Sequence, residues 1–254
     1  MSDPAGGALD GSVTDDTLLG GRVLLRQPAS GYRVAIDPVF LAAAIPAMPG
    51  DAVLDLGAGV GAATLCLAVR EPGCRVVGID RERALVRLAI QNVESNRLTG
   101  RADMMVGDLL RPPPRLAPGS FAHVMANPPF LTTEEGTASP EAVKAGANQE
   151  SEAKLDDWLR CALNMVKPKG SVTFIYRADR LERLLATMAG RLGELVVYPL
   201  WAGGEKPASR VLVRGRKSVA APTRLMPGLV LHEPDGRYTA AADAVLRHGA
   251  GIVL

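Results

Sequence analysis

The stretch VLDLGAGVGAATL, residues 53–65, places three glycines between an apolar run and the start of a helical pattern. The apolar residues up to Leu56 predict a buried strand, and the residues from Ala62 onward predict a helix. Glycine permits sharp turns and a close approach of the backbone to a ligand, and the amino end of a helix presents free N–H groups. The stretch therefore predicts a strand, a ligand-binding turn and a helix within a parallel sheet.

The rest of the chain continues this alternation of strands and helices. Apolar runs predict further strands at residues 74–80, 101–108, 120–127, 171–177, 194–201 and 209–216. The last two runs are expected to pair antiparallel, and a hairpin turned at Pro28 to Gly31 is expected before the sheet. We therefore predict a doubly wound α/β fold with a mostly parallel seven-stranded sheet, an antiparallel last strand and an N-terminal hairpin.

Length and composition fit one domain behind a short tail. The 254 residues are 47% hydrophobic, which is enough for a substantial core. The small and acidic residues 1–17 are expected to be a flexible tail. The domain then covers 18–254, with a hairpin and a helix in 18–50 and the sheet with its helices in 51–254.

The chain shows no signal for a membrane span, a secretory leader or a metal site. Every long apolar run is interrupted well before about 18 residues, and the first residues lack a basic and apolar leader. The three cysteines and three histidines lack metal-ligand spacing. We therefore expect a cytoplasmic protein with reduced thiols, no metal and no Ser-His-Asp site.

Charge is distributed unevenly along the chain. From Arg160 to the C-terminus there are 15 Lys and Arg against 7 Asp and Glu, a net charge of +8, which leaves −6 for residues 1–159. A basic half can mark a nucleic-acid surface, and it can equally be an ordinary solvated surface. Both interpretations stay open on the sequence alone.

Four predicted strands end at a polar residue: Asp55, Asp80, Asp108 and Asn127. In an open parallel sheet the ligand lies outside the carboxyl ends of the strands, near the point where the strand order reverses. The four side chains are therefore expected to face one crevice.

The glycine stretch permits two kinds of ligand. Its spacing satisfies the dinucleotide fingerprint, with Ala62 in the last position and Asp80 about 20 residues further on. Asp55, however, would repel a pyrophosphate and would suit the ammonium and sulfonium charges of S-adenosylmethionine. A third reading is that Asp55 only braces the turn by accepting hydrogen bonds from loop N–H groups.

The end of the fourth predicted strand, Asn127-Pro128-Pro129-Phe130, predicts a site for a flat amino group. The side-chain carbonyl of Asn127 and the backbone carbonyl of Pro128 can accept hydrogen bonds from one NH₂ group. Phe130 can stack on the plane that carries this group. The alternative is a rigid turn with a packed aromatic ring.

Asp37 stands directly before Pro38 at the start of a predicted helix. An Asp followed by Pro is typical of a helix N-cap, so capping is the expected role of Asp37. A ligand role is the alternative.

Together these motifs resemble the Rossmann-like S-adenosylmethionine-dependent methyltransferases that modify planar nitrogens through an Asn-Pro-Pro-aromatic motif. The resemblance runs from about Leu18 to the end of the chain. Within this class, GYRVAIDPVFLAAAIP, GGEKPASRVLVRGRK and DGRYTAAADAVL resemble the bacterial tRNA(Val) adenine-N6 methyltransferase family. The chain departs from that family by Phe130, where Tyr is common, and by a polar insertion at 131–153 that is either a substrate-ordered loop or a neutral insertion.

The resemblance implies S-adenosylmethionine as the cofactor and assigns it a set of contacts. Asp80 would hold the ribose hydroxyls, Asp108 would accept from the adenine amino group, and Arg81 and Leu109 would flank the adenine. The methionine portion would lie along Gly57, Ala58, Gly59 and Gly61, with Asp37 at its ammonium group. Asn127 and Pro128, followed by Pro129 and Phe130, would bind the target amino group and its base.

The resemblance also implies the substrate, which is adenine in RNA, most likely tRNA, bound with help from the basic C-terminal half. Protein glutamine amides and guanine N2 of rRNA offer similar NH₂ groups and stay as alternatives. A nicotinamide-dependent oxidoreductase, or a cofactor-binding protein without turnover, is the alternative of a different class.

Overall fold

The computed structural model describes residues 12–30, 33–129 and 153–254. The strands within these ranges are β1 (Val13–Leu18), β2 (Val23–Pro28), β3 (Ala52–Leu56), β4 (Arg75–Asp80), β5 (Ala102–Val106), β6 (Phe121–Ala126), β7 (Val166–Arg177), β8 (Gly193–Trp201), β9 (Ala208–Arg216), β10 (Arg224–Leu225) and β11 (Leu229–Val230). The helices are α1 (Asp37–Ala43), α2 (Ala62–Arg70), α3 (Arg83–Ser95), α4 (Leu155–Met165), α5 (Leu181–Met188) and α6 (Ala240–His248).

The central sheet has the order β8-β9-β7-β6-β3-β4-β5, and the two-residue strands β10 and β11 add to β8. All neighbours run parallel except β9, which is antiparallel to both β7 and β8. The predicted fold, including the antiparallel last long strand, is confirmed. We call the edge at which β3, β4, β5 and β6 end the carboxyl edge, and the opposite edge the amino edge.

Both faces of the sheet are covered, as the nearly continuous apolar strands require. On β3, Val53 belongs to a core that includes residues of α1, α2 and α6. Its neighbours Leu54 and Leu56 belong to a second core with α4 and α5. This alternation defines the doubly wound architecture, and it leaves the carboxyl edge between the two helical layers.

The N-terminal hairpin lies earlier in the chain than predicted. β1 pairs with β2 from Val13 opposite Pro28 to Leu18 opposite Val23, and the turn lies at Leu19–Gly21. The predicted turn at Pro28 to Gly31 is therefore wrong. The cause is that β1 is polar and has neither face fully buried, so its sequence lacks the apolar alternation that marks a strand.

Two asparagines of α3 hold the hairpin against the domain. Asn92 accepts from the backbone N–H of Arg26 at 2.7 Å and donates to its carbonyl at 2.9 Å. Asn96 makes the same pair of bonds with Leu24, at 2.8 and 2.7 Å. Asn92 also donates to the carbonyl of Val60 in the glycine stretch at 3.0 Å. These amides bond the edge of β2 as a third strand would, and they connect the hairpin to the glycine stretch.

At the amino edge, the pairing of β6 with β7 shifts in register after Phe121, and β7 begins at Val166, five residues earlier than predicted. The shift places His123 opposite Ser171, with Nδ1 2.8 Å from the serine Oγ. The other ring nitrogen of His123 lies 3.4 Å from a carboxylate oxygen of Asp51. Ser171 is only 3% exposed, so this trio is an internal polar network.

Candidate cofactor and substrate site

The glycine loop adopts a backbone that requires glycine. Gly57, Gly59 and Gly61 have φ values of 66°, 56° and 87°. A Cβ added at Gly57 would lie 2.4 Å from Cη2 of Trp158, whereas one added at Gly59 would meet nothing within 4 Å. The loop is therefore packed against α4 on one side and open on the other. The open side is where a ligand can approach the backbone.

Asp80, at the end of β4, is fixed next to this open side. Its Oδ2 accepts from the N–H of Gly59 at 2.8 Å, and its Oδ1 accepts from the N–H of Glu82 at 2.9 Å. Ala58 ties the loop to the same strand by donating to the carbonyl of Ile79 at 2.9 Å. Each carboxylate oxygen keeps further acceptor capacity. A pair of neighbouring hydroxyl groups, such as a ribose diol, is a ligand that matches this carboxylate.

Asp108 lies two residues beyond the end of β5 and is held by its own turn. Its Oδ1 accepts from the N–H of Leu110 at 2.9 Å, while its Oδ2 lies 3.9 Å from Nε of Arg111. The side chain of Asp108 is 41% exposed. Leu109 is half-buried beside it. A hydrogen-bond acceptor next to a half-buried apolar side chain suits the edge of a purine ring that carries an amino group.

Arg81 follows Asp80 and begins the turn into α3. Its side chain is 56% exposed, and its Nε lies 3.8 Å from a carboxylate oxygen of Glu82. The residue is therefore at the surface next to the Asp80 carboxylate, in a position compatible with the predicted role beside the adenine.

Asp55 is buried inside β3 and points to the helix that follows it. Its Oδ2 accepts from the hydroxyl of Thr64 at 2.8 Å, and the residue is 2% exposed. Burial raises the pKa of Asp55 to about 7, against the opposing effect of the hydrogen bonds from Thr64 and with a further increase from the charge of Asp80. Of the roles considered above, this geometry supports bracing of the junction between strand and helix. The predicted contact of Asp55 with the cofactor stays a prediction.

Asn127 stands directly beside the glycine loop. Ala126, the last residue of β6, pairs with Leu56, the last residue of β3, so the next residues in the two strands are Asn127 and Gly57. The side-chain oxygen of Asn127 is shielded from solvent, and Pro128 is buried while Pro129 is exposed. The fold thus brings the predicted amino-group site next to the predicted cofactor loop. Phe130 lies outside the described residues, as does most of the 131–153 insertion.

Asp37 is not a helix cap. Its side chain makes no capping bond to α1, and the N-cap position belongs to Ile36. Instead, Oδ2 of Asp37 accepts from Nε of Arg210 at 2.8 Å, and the carboxylate side chain is only 11% exposed. The expected capping role is therefore wrong, because an arginine near the start of β9 reaches the carboxylate. The predicted contact with the methionyl ammonium stays a prediction.

The described site fits a positively charged cofactor better than a pyrophosphate. Asp80 ends β4 and Asp108 follows β5 at the carboxyl edge, and the glycine loop is open beside Asp80. Asp37 reaches the same edge through its bond to Arg210, which pairs with Arg177 at the end of β7. These groups accept hydrogen bonds and attract cations. An adenosine with a sulfonium and an ammonium group supplies matching hydroxyls, an amino group and positive charge.

Comparison with known proteins identifies the class. Residues 32–155 match a family model described as methyltransferase small domain. A "tRNA1(Val) (adenine(37)-N6)-methyltransferase" of Porphyromonas gingivalis is 27% identical over 227 residues, which are 84% of this chain and 86% of the relative. An "rRNA N(6)-adenosine-methyltransferase metl-5" of Caenorhabditis elegans is 23% identical over 164 residues, 65% of this chain and 69% of the relative.

Solved structures agree on the fold. A predicted O-methyltransferase from Agrobacterium tumefaciens superposes with a TM-score of 0.71 at 22% identity, over 85% of this chain and 97% of that one. The chain is a Rossmann-like methyltransferase that depends on S-adenosylmethionine. Several of its relatives are named for methylation of adenine N6 in tRNA1(Val). The predicted enzyme class and cofactor are confirmed, and the nicotinamide alternative is set aside.

Three residues of the site were missed by sequence reasoning. Trp158 packs on Gly57, Thr64 bonds Asp55, and Arg210 pairs with Asp37. Thr64 lies in the first turn of α2, close in sequence to Asp55, whereas Trp158 and Arg210 come from distant elements and carried no signal. Among the described residues, no helix is long and apolar enough to cross a membrane. Within the same ranges, no group of three or more His, Cys, Asp or Glu has the arrangement of a metal site.

Proposed function

We propose that this enzyme methylates the exocyclic N6 of adenine in RNA, with tRNA as its principal substrate. The observation that carries the proposal is the strand register, which stands Asn127 next to Gly57 of the glycine loop. Relatives named for the same reaction on tRNA1(Val) support the choice of base and of RNA class. A cytoplasmic location accords with such a substrate.

The residues at the end of β6 act by orienting the amino group. Asn127 Oδ1 and the carbonyl of Pro128 accept hydrogen bonds from its two N–H groups, so the nitrogen lone pair is directed toward the glycine loop. Phe130 stacks on the adenine ring and holds it outside its former stack. S-adenosylmethionine, when bound, supplies a methyl group on a positively charged sulfur. Asn127 and Pro128 would hold the amino nitrogen toward that methyl group, so that the N–C bond would form as the S–C bond breaks and the proton of the methylated nitrogen would pass to water.

The cofactor residues hold the other partner in place. Asp80 accepts from the ribose hydroxyls, and Asp108 accepts from the adenine amino group between Arg81 and Leu109. Gly57, Ala58, Gly59 and Gly61 line the methionine portion, with Asp37 at its ammonium end and Asp55 beneath the loop. These assignments rest on the resemblance, and the bonds of Asp80 and Asp108 to the backbone support them, because they fix both carboxylates before binding.

The direct test is methyl transfer to tRNA transcribed without modifications. Wild-type enzyme with labelled cofactor should modify the transcript, and nucleoside mass spectrometry should identify N6-methyladenosine. Asn127→Ala should lower kcat at least about 100-fold with an unchanged affinity for S-adenosylhomocysteine. An exposed and distant substitution, Asp103→Ala on β5, serves as the matched control. Unchanged turnover in Asn127→Ala would refute the role of Asn127.

The same assay separates the remaining substrates. The Caenorhabditis elegans relative, named for adenosine in rRNA, makes rRNA adenine the second candidate. Ribosomal RNA and tRNA are therefore offered in parallel, and the modified nucleoside is identified in each. N2-methylguanosine, or transfer to a protein glutamine amide, would point to the other chemistries that the Asn-Pro-Pro motif permits. Absence of transfer to any RNA would overturn the proposed function.

A further inference from the structure

A tyrosine and a histidine form a stacked pair away from the residues discussed so far. The ring centroids of His232 and Tyr238 are 4.7 Å apart, and the ring planes meet at 26°. Tyr238 is 37% exposed, which makes it one of the few large apolar side chains open to solvent among the described residues. With His232 against one face of the ring, the rest of the tyrosine offers a flat surface to a ligand. We call these two residues the aromatic pair.

The aromatic pair is held by a tight hairpin turn. The N–H of Glu233 donates to the carbonyl of Arg237 at 2.8 Å, and that of Gly236 donates to the carbonyl of Glu233 at 2.9 Å. Nδ1 of His232 lies 3.0 Å from the carbonyl oxygen of Ala202. The tyrosine is thus fixed before any ligand arrives, which reduces the conformational entropy lost on binding.

The pair lies on the same edge of the sheet as Asn127. β8 and β11 both run parallel to β6, so the residues that follow β11 emerge at the carboxyl edge. β7 and β9 stand between β8 and β6 in the strand order. β11 pairs with the side of β8 that faces away from β9, so four spacings of about 4.8 Å place the end of β11 roughly 19 Å from the end of β6. A short stretch of single-stranded RNA spans such a distance.

Charges near the pair indicate how it would contact RNA. The turn carries Glu233, Asp235 and Arg237, and the arginine lies 2.6 Å from the Asp235 carboxylate. Acidic groups outnumber basic ones here, so the turn is a poor surface for phosphates. The aromatic ring would therefore contact RNA by stacking on the face of a base and not by binding its phosphates.

We propose that Tyr238, supported by His232, stacks on a base of the substrate RNA that lies a few nucleotides from the target adenine. This inference rests on the proposed function and names a second contact of the same substrate. Turning the target base out of its stack leaves neighbouring loop bases with exposed faces. Tyr238 then offers one of these loop bases a stacking surface and determines which RNA loops fit the enzyme.

The test compares RNA binding and turnover in wild-type, Tyr238→Ala, Tyr238→Leu and Tyr238→Phe enzymes. Dissociation constants for the unmodified tRNA transcript are measured by filter binding at two salt concentrations, together with kcat, KM and the affinity for S-adenosylhomocysteine. His248→Ala, an exposed histidine at the end of α6, is the matched control. Thermal unfolding verifies that each variant is folded.

We expect Tyr238→Ala and Tyr238→Leu to weaken RNA binding about 10-fold, within the range for loss of one base stack. Tyr238→Phe should bind as wild type, and cofactor affinity should not change in any variant. The loss should be equal at both salt concentrations, because stacking on the base face involves no phosphate.

Wild-type RNA affinity in the folded Tyr238→Leu enzyme, while wild-type enzyme still methylates the transcript, would overturn this inference and leave the proposed function intact. A loss that disappears at high salt would also overturn it, since the contact would then be with the RNA backbone. A wild-type enzyme that methylates no RNA would instead contradict the proposed function.

Discussion

The two halves of the sheet hold their polar residues in different ways. In the half formed by β3, β4 and β5, the two buried or fixed carboxylates bond residues that are close in sequence. Asp55 and Thr64 are nine residues apart, and Asp80 and Gly59 are 21 residues apart. In the half formed by β7, β8 and β9, the bond of Arg210 to Asp37 joins residues 173 apart. Asp55 and Asp80 therefore find their partners nearby in the sequence, whereas Asp37 depends on a strand from the far end of the domain. The four experiments below test this contrast, in order of decreasing expected effect.

The largest effect is expected from the buried carboxylate of the local half. The pKa of Asp55 is raised to about 7 in the folded protein, against 3.8 for the ordinary side chain. Between these two values the folded state binds more protons than the unfolded state, so the free energy of unfolding falls as pH rises from about 4 to about 7. The fall is on the order of 4 kcal/mol for the enzyme without cofactor.

Asp55→Asn removes this titration and keeps the size of the side chain. Denaturant unfolding across the same pH window should show a flatter profile for the variant than for wild type. Thr64→Val, which removes only the hydroxyl donor, is the companion variant and should retain the slope. Equal slopes in wild type and Asp55→Asn would contradict the assignment of the titration to Asp55.

The second experiment tests the packing of the glycine loop. Gly57→Ala introduces a side chain at a positive φ and within 2.4 Å of Trp158, whereas Gly100→Ala has a positive φ of 84° and open space around the new carbon. Backbone strain of about 1 kcal/mol is common to both, and overpacking adds about 1–3 kcal/mol at Gly57 only.

Chemical denaturation of the two glycine variants measures this difference directly. Gly57→Ala should lose about 3 kcal/mol of unfolding free energy, and Gly100→Ala about 1 kcal/mol. Similar losses of unfolding free energy in both variants would mean that the contact of Trp158 with Gly57 does not restrict the loop. The double variant with Trp158→Leu should recover part of the loss at Gly57.

The third experiment addresses the half with long-range contacts. A double-mutant cycle with Asp37→Asn and Arg210→Gln should give a coupling energy of about 1–2 kcal/mol, because Asp37 is nearly buried. The exposed pair Arg75 and Asp103 is the reference and should give less than about 1 kcal/mol. Equal coupling in the two pairs would show that the partial burial of Asp37 has no energetic consequence.

The same contrast explains what the sequence predicted. The parallel sheet, the glycine turn, and the placement of Asp80, Asp108 and Asn127 near one edge follow from patterns that span a few residues each. Arg210 was not recognised as the partner of Asp37, because nothing in the sequence relates two residues on distant elements. Asn92 was also missed, since a polar residue on a helix is usually solvated. Only the position of β2 buries its side chain and gives it hydrogen-bond partners on the backbone.

The smallest effect is expected at the amino edge, far from the glycine loop. Burial lowers the pKa of His123 below its ordinary value of 6.5, although the nearby carboxylate of Asp51 opposes the shift. The folded state therefore resists protonation of this ring, and its contribution to stability, present above pH 6.5, is lost as the pH falls below that value. This slope has the opposite sign to that of Asp55.

In the Asp55→Asn background, where the larger titration is absent, unfolding between pH 7 and pH 5 should show a decrease in stability that disappears on adding His123→Gln. An unchanged profile after that second substitution would mean that groups other than His123 set the pH dependence of this edge.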